Sequence, residues 1–235
     1  MIPQPIQLTI QKVVTENTRV KSFYFNHSLS AEPGQYLKIG IPGFGERPFG
    51  AVVVDENTFL ISVGKAGEAT THLHDMKEGD TITMTGPFGT YFTLPEKKVT
   101  IALVAGGYGM APLGYLAKKA AEAGYTVDLF AGARSSNEFL IYEFFNNPYI
   151  TLHKTTDDGS AGIKGFVTDG FSQYLEKTTP DYVYTVGPAI MEDKIAAMCD
   201  AKNIPYQLSV ESLANEPFGP VIDNKKYQEI NSPST

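Results

Sequence analysis

Apolar and polar positions alternate in short runs through the first part of the chain: IQLTIQKVV (6–14), VKSFYF (20–25), QYLKIGI (35–41), GAVVV (50–54), TFLISV (58–63) and TITMT (81–85). Gly, Pro, Asn and Asp separate the runs. Period-two alternation of β-branched and aromatic residues between turn formers predicts a small antiparallel sandwich or barrel. One stretch, ATTHLHDMK (69–77), predicts a short helix inside it.

Near residue 97 the pattern changes. Predicted strands VTIALVA (99–105), TVDLFAGA (126–133), ITLHKTT (150–156) and DYVYTVG (181–187) now alternate with predicted helices over 111–124, 138–147, 167–177 and 189–203, and YQLSVE (206–211) is the last strand. Buried apolar strands between amphipathic helices predict a parallel sheet covered on both faces, with ligands at the carboxyl ends of its strands. Residues 212–235, rich in Pro, Asn, Ser and Lys, predict an irregular tail. The expected organisation is a β-barrel domain over 1–97, an α/β domain over 98–211 and the tail.

Composition narrows the classes. At 42% hydrophobic and 19% charged, the chain has enough apolar content for packed cores and is not of the disordered type. No apolar run approaches the roughly 18–20 residues that span a bilayer. The start, MIPQPIQLTIQKVV, lacks a basic segment followed by an apolar one. These features predict a cytoplasmic protein without a membrane partner, and a net charge of −7 argues against a nucleic-acid partner. Cys199 is the single cysteine, so an internal disulfide or a multi-thiolate site has no ligands. It lies at helical spacing among apolar residues, as a buried structural thiol does. The histidines are His27, His72, His74 and His153; His72 and His74, two apart on a predicted helix, point in different directions and predict no metal site.

Candidate chemistry concentrates at glycine-rich turns. In LVAGGYGMAP (103–112) a buried strand runs into Gly106-Gly107-Tyr108-Gly109 and then a helix, the arrangement that brings backbone amides and a helix N-terminus against a phosphate. Pro112 stands where the dinucleotide fingerprint has its third glycine. The acidic residue expected at the end of the next strand is missing, because that strand ends in Ala131-Gly132-Ala133-Arg134. A tight strand–helix turn without a ligand stays open there. In the first domain, Arg47-Pro48-Phe49-Gly50, placed just before a strand, offers a planar cation for a pyrophosphate and a ring for a flat ligand. Gly67-Glu68-Ala69-Thr70-Thr71 opens the short helix with amides and hydroxyls for a second phosphate oxygen, and Gly86-Pro87-Phe88-Gly89 reads as a turn near the domain boundary.

The order of these motifs resembles the ferredoxin reductase-like superfamily, in which an FAD-binding β-barrel precedes a nicotinamide-binding α/β domain. Arg47 to Gly50 looks like its flavin motif, Gly106 to Pro112 like its G-G-x-G-x-x-P loop, and Val186-Gly187-Pro188 with Met191 like its C-G-P segment. Within it, the run Thr156-Asp157-Asp158-Gly159-Ser160-Ala161-Gly162, Lys164-Gly165-Phe166-Val167-Thr168-Asp169 and the segment Ser209-Val210-Glu211 resemble the electron-transfer subunit of two-subunit dihydroorotate dehydrogenases. The resemblance implies that Arg47, Pro48 and Phe49 contact the flavin of FAD, with Gly67, Ala69, Thr70 and Thr71 near its phosphates. Gly106, Gly107, Gly109, Ala133, Arg134 and Ser135 would border NAD(P)H, and Gly187, Pro188, Asp157, Asp158 and Gly159 would lie on its nicotinamide side. For Asp157 to Ser160 a plain Asx turn remains equally open.

The departures from the family are specific. Related subunits follow S-x-E with cysteines that ligate a [2Fe–2S] cluster, whereas Glu216 and Val221 stand where cysteines are expected, so no such cluster is predicted. Gly50 replaces a hydroxyl residue and Val186 a cysteine beside the expected flavin N5. Three functions stay open: an NAD(P)H-linked FAD oxidoreductase feeding a partner flavoprotein such as a dihydroorotate dehydrogenase catalytic chain, in a homodimer or heterotetramer; a non-catalytic or regulatory FAD-binding homologue; and a stand-alone flavin or quinone reductase.

Overall fold

The computed structural model describes residues 4–140, 142–209 and 220–231. The chain divides into two compact units, Met1–Tyr91 and Phe92–Thr235.

The first unit contains strands β1 (Ile6–Thr9), β2 (Lys12–Thr15), β3 (Val20–Asn26), β4 (Tyr36–Ile41), β5 (Gly45–Gly50), β6 (Val52–Asp55) and β7 (Thr58–Gly64), helix α1 (Glu68–Asp75), and β8 (Thr81–Phe88). They form two four-stranded antiparallel sheets, ordered β1-β8-β4-β5 and β2-β3-β7-β6. The period-two pattern explains the pairing: Phe23 and Phe25 of β3, Leu37 and Ile39 of β4, and Ile61 and Val63 of β7 are buried in one core, which Leu73 of α1 joins. Each such side chain contributes about 1.5–3 kcal/mol by leaving water.

Two local expectations change here. Residues 47–50 lie within a strand rather than before one, because β5 pairs with β4 in the register Lys38 to Pro48 and Ile39 to Arg47. β5 is an edge strand, where a proline's missing N–H breaks no interior ladder. Likewise Gly86, Pro87 and Phe88 finish β8, alongside a register shift between Tyr36 and Lys38 in β4, instead of forming an isolated turn.

The second unit begins with β9 (Thr100–Gly106), a 3-10 turn over Gly107–Gly109 and α2 (Met110–Glu122). It continues with β10 (Thr126–Ala133), β11 (Ile150–Thr156), β12 (Ile163–Lys164), α3 (Val167–Leu175), β13 (Tyr182–Val186), α4 (Ala189–Ala201), β14 (Tyr206–Ser209), β15 (Val221–Asp223) and α5 (Asn224–Asn231). The sheet order is β12-β11-β10-β9-β13-β14-β15, and every pair is parallel except β14 with β15. Phe171 of α3 and Ile195, Ala196 and Cys199 of α4 pack on Val104 and Phe130 in a common core.

The helix expected over 138–147 does not form. The described chain there has short 3-10 turns at Ser136–Glu138 and Glu143–Phe145. Phe139, Leu140, Tyr142 and Phe145 are all buried. At 100° per residue Phe139, Tyr142 and Phe145 would share a face about 120° wide on a helix, but Leu140 would point about 100° beyond its edge, so a helix would not bury all four on one side. Instead Tyr142 and Phe145 fill a notch over Gly114 of α2, where a Cβ would meet them at 3.1 and 2.9 Å. The tail expectation also changes in part: 221–231 form β15 and α5, with Tyr227 hydroxyl donating to Asp193 and Gln228 Nε2 to Asp200 Oδ1 at 2.8 Å. Glu211 and Glu216 lie outside the described residues; Val221 is the first residue of β15.

Candidate functional site

In the first unit, β5 and the start of α1 line one cavity of about 470 Å³ with Phe44, Arg47, Pro48, Phe49, Ala66, Gly67, Glu68, Ala69 and Thr70. Six of the residues anticipated from sequence meet there; Gly50 and Thr71 do not line it. Arg47 is exposed, and its Nη1 donates to the neighbouring Glu46 carbonyl at 2.7 Å, leaving the rest of the guanidinium fork for a ligand. The first helical bond of α1 runs from Thr71 N to Gly67 O at 2.8 Å. The amides of Glu68, Ala69 and Thr70 therefore have no acceptor within the helix. A cation and helix-end donors on one cavity suit a diphosphate, and the exposed Glu68 carboxylate is the one acidic group among the lining residues.

The Thr70 hydroxyl bonds within its own loop. Its oxygen accepts from Ala66 N at 2.9 Å and Gly67 N at 3.0 Å and lies 3.0 Å from Gly67 O, to which it donates. These bonds close the loop that forms the cavity wall. Phe49 is 8% exposed and belongs largely to the core. Phe44, which sequence reasoning passed over, is half-buried and lies 5.1 Å from the His72 ring. The signal available for it was a glycine-bracketed aromatic, Gly43-Phe44-Gly45, on a strand-to-strand turn. The two neighbouring histidines do face apart: His74 is buried with Nε2 2.7 Å from Val63 O, while His72 meets Phe44.

In the second unit, strand order reverses at β9: β10 to β12 build outward on one side and β13 to β15 on the other. Sheets of this kind bind ligands outside the carboxyl ends at that switch. The turn 106–109 and Gly187-Pro188 occupy those ends, following β9 and β13. Their glycines are there for contact. A Cβ on Gly106 would lie 2.7 Å from Met191 Sδ and 3.1 Å from Pro188 Cδ; one on Gly187 would lie 2.5 Å from Met191 Cε, and one on Gly109 would collide with the Val186 carbonyl. Gly187 N donates to the buried Glu192 carboxylate at 3.2 Å. Gly107 alone in that turn meets open space, at φ +55.

Ala133-Arg134-Ser135 and Asp157-Asp158-Gly159 form a second group. Asp157 N donates to Ala133 O at 3.1 Å, Asp158 N to Arg134 O at 3.2 Å, and Ser136 N to Ser160 Oγ at 2.7 Å. The Asp158 carboxyl is held below the usual carboxylate range by hydrogen bonds from the Ser160 hydroxyl and amide. Asp157–Gly159 follow β11, and the bonds to Ala133 O and Arg134 O group them with 133–136; β10 and β9 stand between β11 and β13, the strand that Gly187-Pro188 follow. Cys199 is fully buried, and burial pushes its thiol up to about 12. Among the described residues, no helix is long and apolar enough to cross a membrane.

Residues 5–93 match the family model of the oxidoreductase FAD-binding domain. The chain is 34% identical over 212 residues to the dihydroorotate dehydrogenase B (NAD(+)) electron transfer subunit of Clostridium acetobutylicum, covering 86% of this chain and 82% of that protein. It is 36% identical over 208 residues to a probable subunit of the same name from Methanocaldococcus jannaschii, covering 88% of this chain and 78% of the relative. Among solved structures, a chain of NADH-dependent reduced ferredoxin-NADP oxidoreductase superposes with TM-score 0.80 at 27% identity, over 93% of this chain and 88% of that one. The fold shared with it is the ferredoxin reductase-like one.

Proposed function

Since this chain belongs to the family of dihydroorotate dehydrogenase B electron transfer subunits and matches the oxidoreductase FAD-binding domain over residues 5–93, we propose that it takes electrons from NADH through FAD and hands them to a catalytic dihydroorotate dehydrogenase partner in pyrimidine synthesis. The observation that carries this assignment is the cavity where Arg47 and the first turn of α1 meet.

Arg47 and the amides of Glu68, Ala69 and Thr70 would hold the FAD diphosphate, with Phe49 and Pro48 beside its flavin. Bound FAD supplies the redox chemistry, accepting two electrons from a reduced nicotinamide and releasing them to an acceptor. In the second unit, the open backbone at Gly107, with Gly106, Gly109, Gly187 and Pro188, would border the dinucleotide at the switch point. Ala133, Arg134, Ser135, Asp157, Asp158 and Gly159 would border it on the β10–β11 side. A single cysteine supports a subunit with no four-cysteine [2Fe–2S] centre of its own. Cytoplasmic operation, as a homodimer or a heterotetramer with the catalytic chain, completes the proposal.

The second reading, a binding or regulatory homologue, is favoured by Gly50 and Val186, which put no polar side chain where the resemblance expects a hydroxyl and a thiol. One experiment separates the two. The purified protein is loaded with FAD, its visible spectrum is recorded, and NADH is added without oxygen. Bleaching of the flavin bands supports electron transfer. A yellow protein that does not bleach supports a binding role, and failure to take up FAD removes both.

A further inference from the structure

We propose that Phe44, backed by His72, is the platform on which the adenine ring of FAD stacks; this rests on the FAD assignment above. Phe44 sits on the turn joining β4 to β5, between Gly43 at φ +80 and Gly45 at φ +70. Both glycines adopt a conformation that L side chains rarely take. The turn is closed by Phe44 N donating to Ile41 O at 3.0 Å, so the ring is presented by a defined backbone. The His72 imidazole of α1 lies next to the ring, 5.1 Å away and tilted by 39°. Phe44 lines the same cavity as Arg47 and the first turn of α1.

Of the two phenylalanines on that cavity, Phe49 is 8% exposed within the core, while Phe44 packs at the edge of that core and remains half-buried, with part of its ring uncovered. A half-open aromatic next to diphosphate donors fits a flat ring attached to those phosphates. Arg47 separates the two aromatics along the chain. At about 3.3 Å per residue, Phe44 precedes the cation by roughly 10 Å and Phe49 follows it by roughly 7 Å. A dinucleotide anchored by its diphosphate extends one ring to each side. With the flavin beside Phe49, the adenine falls to Phe44.

The chain has no tryptophan, which makes the test direct. Phe44→Ala is expected to raise the Kd for FAD roughly 5- to 150-fold, the usual worth of one base stacked on an aromatic ring. The absorption bands of the FAD-saturated variant are expected to match those of the parent, because the isoalloxazine does not touch residue 44. Phe44→Trp is expected to keep parental affinity, and ADP, which has no flavin, should quench the introduced indole. An unchanged Kd in Phe44→Ala overturns the assignment. So does a raised Kd accompanied by shifted flavin bands, since the ring on Phe44 would then be the isoalloxazine. If Phe44→Ala does not fold, an indole emission indifferent to ADP in FAD-competent Phe44→Trp overturns it equally. A parent protein that binds no FAD defeats the underlying FAD assignment, and this one with it.

Discussion

Two glycines in the 106–109 turn do unlike work. Gly109 is fixed by contact, because any Cβ would run into the backbone carbonyl of Val186, which cannot swing aside. Gly107 is fixed by conformation alone, at φ +55 with open space beyond it. Gly109→Ala should therefore cost about 2–3 kcal/mol, as overpacking against backbone does, and Gly107→Ala about 1 kcal/mol from its left-handed backbone. Urea denaturation followed by far-UV circular dichroism gives both numbers. The reverse order of costs would show that the turn is not packed on β13. NADH titrations should rank the two the other way once stability is accounted for, since only Gly107 has room for a ligand.

At the scale of elements, α3 and α4 carry titratable groups that resist ionisation. Tyr174 of α3 donates to Asp128 Oδ2 at 2.9 Å, and the other carboxylate oxygen, Oδ1, lies 2.7 Å from His153 Nε2. Burial first, then the bond to Asp128, raise the Tyr174 phenol well above its usual value of 10. A raised pKa means that the folded state holds the proton more tightly. This contribution to stability is complete below pH 10 and declines as pH rises beyond it. Tyr174→Phe should lose about 1 kcal/mol at neutral pH with the hydrogen bond, and should shallow the fall in stability above pH 10, read from denaturation midpoints. A fall of unaltered steepness would assign it wholly to other groups, such as Cys199, Tyr184 and Tyr206, which burial raises as well. Buried in α4 with its thiol raised to about 12, Cys199 should resist a thiol-reactive disulfide reagent at pH 8 until the chain is unfolded. Rapid labelling of native protein would mean that α4 opens locally.

For the whole molecule, the decisive quantity is metal content. The chain offers one cysteine, buried in α4. Protein purified without oxygen should contain FAD and iron in a ratio with iron near zero. About two irons per flavin, removed by a chelator together with a brown absorbance, would require ligands other than thiolates. FAD at a hundred times its Kd should add about 2.7 kcal/mol to the unfolding free energy of the first unit. Protection confined to the second unit would move the flavin site.

Periodicity alone determined the two kinds of domain, because alternation of two and of about 3.6 is written directly into which residues are apolar. It also located the strand–turn–helix at 103–112 and the Arg47 segment, since glycine, proline and arginine act through their own backbone or charge. Only tertiary structure decided where those pieces meet. It turned 138–147 from helix into 3-10 turns by burying Phe139, Leu140, Tyr142 and Phe145 together, and it built 221–231 onto the edge of the sheet. It set Asp157–Gly159 beside 133–136, bonded the Thr70 hydroxyl within its own loop, and left Phe44 half-buried while closing Phe49. Which side chains share a cavity depends on contacts between residues far apart in sequence, and no local pattern records them.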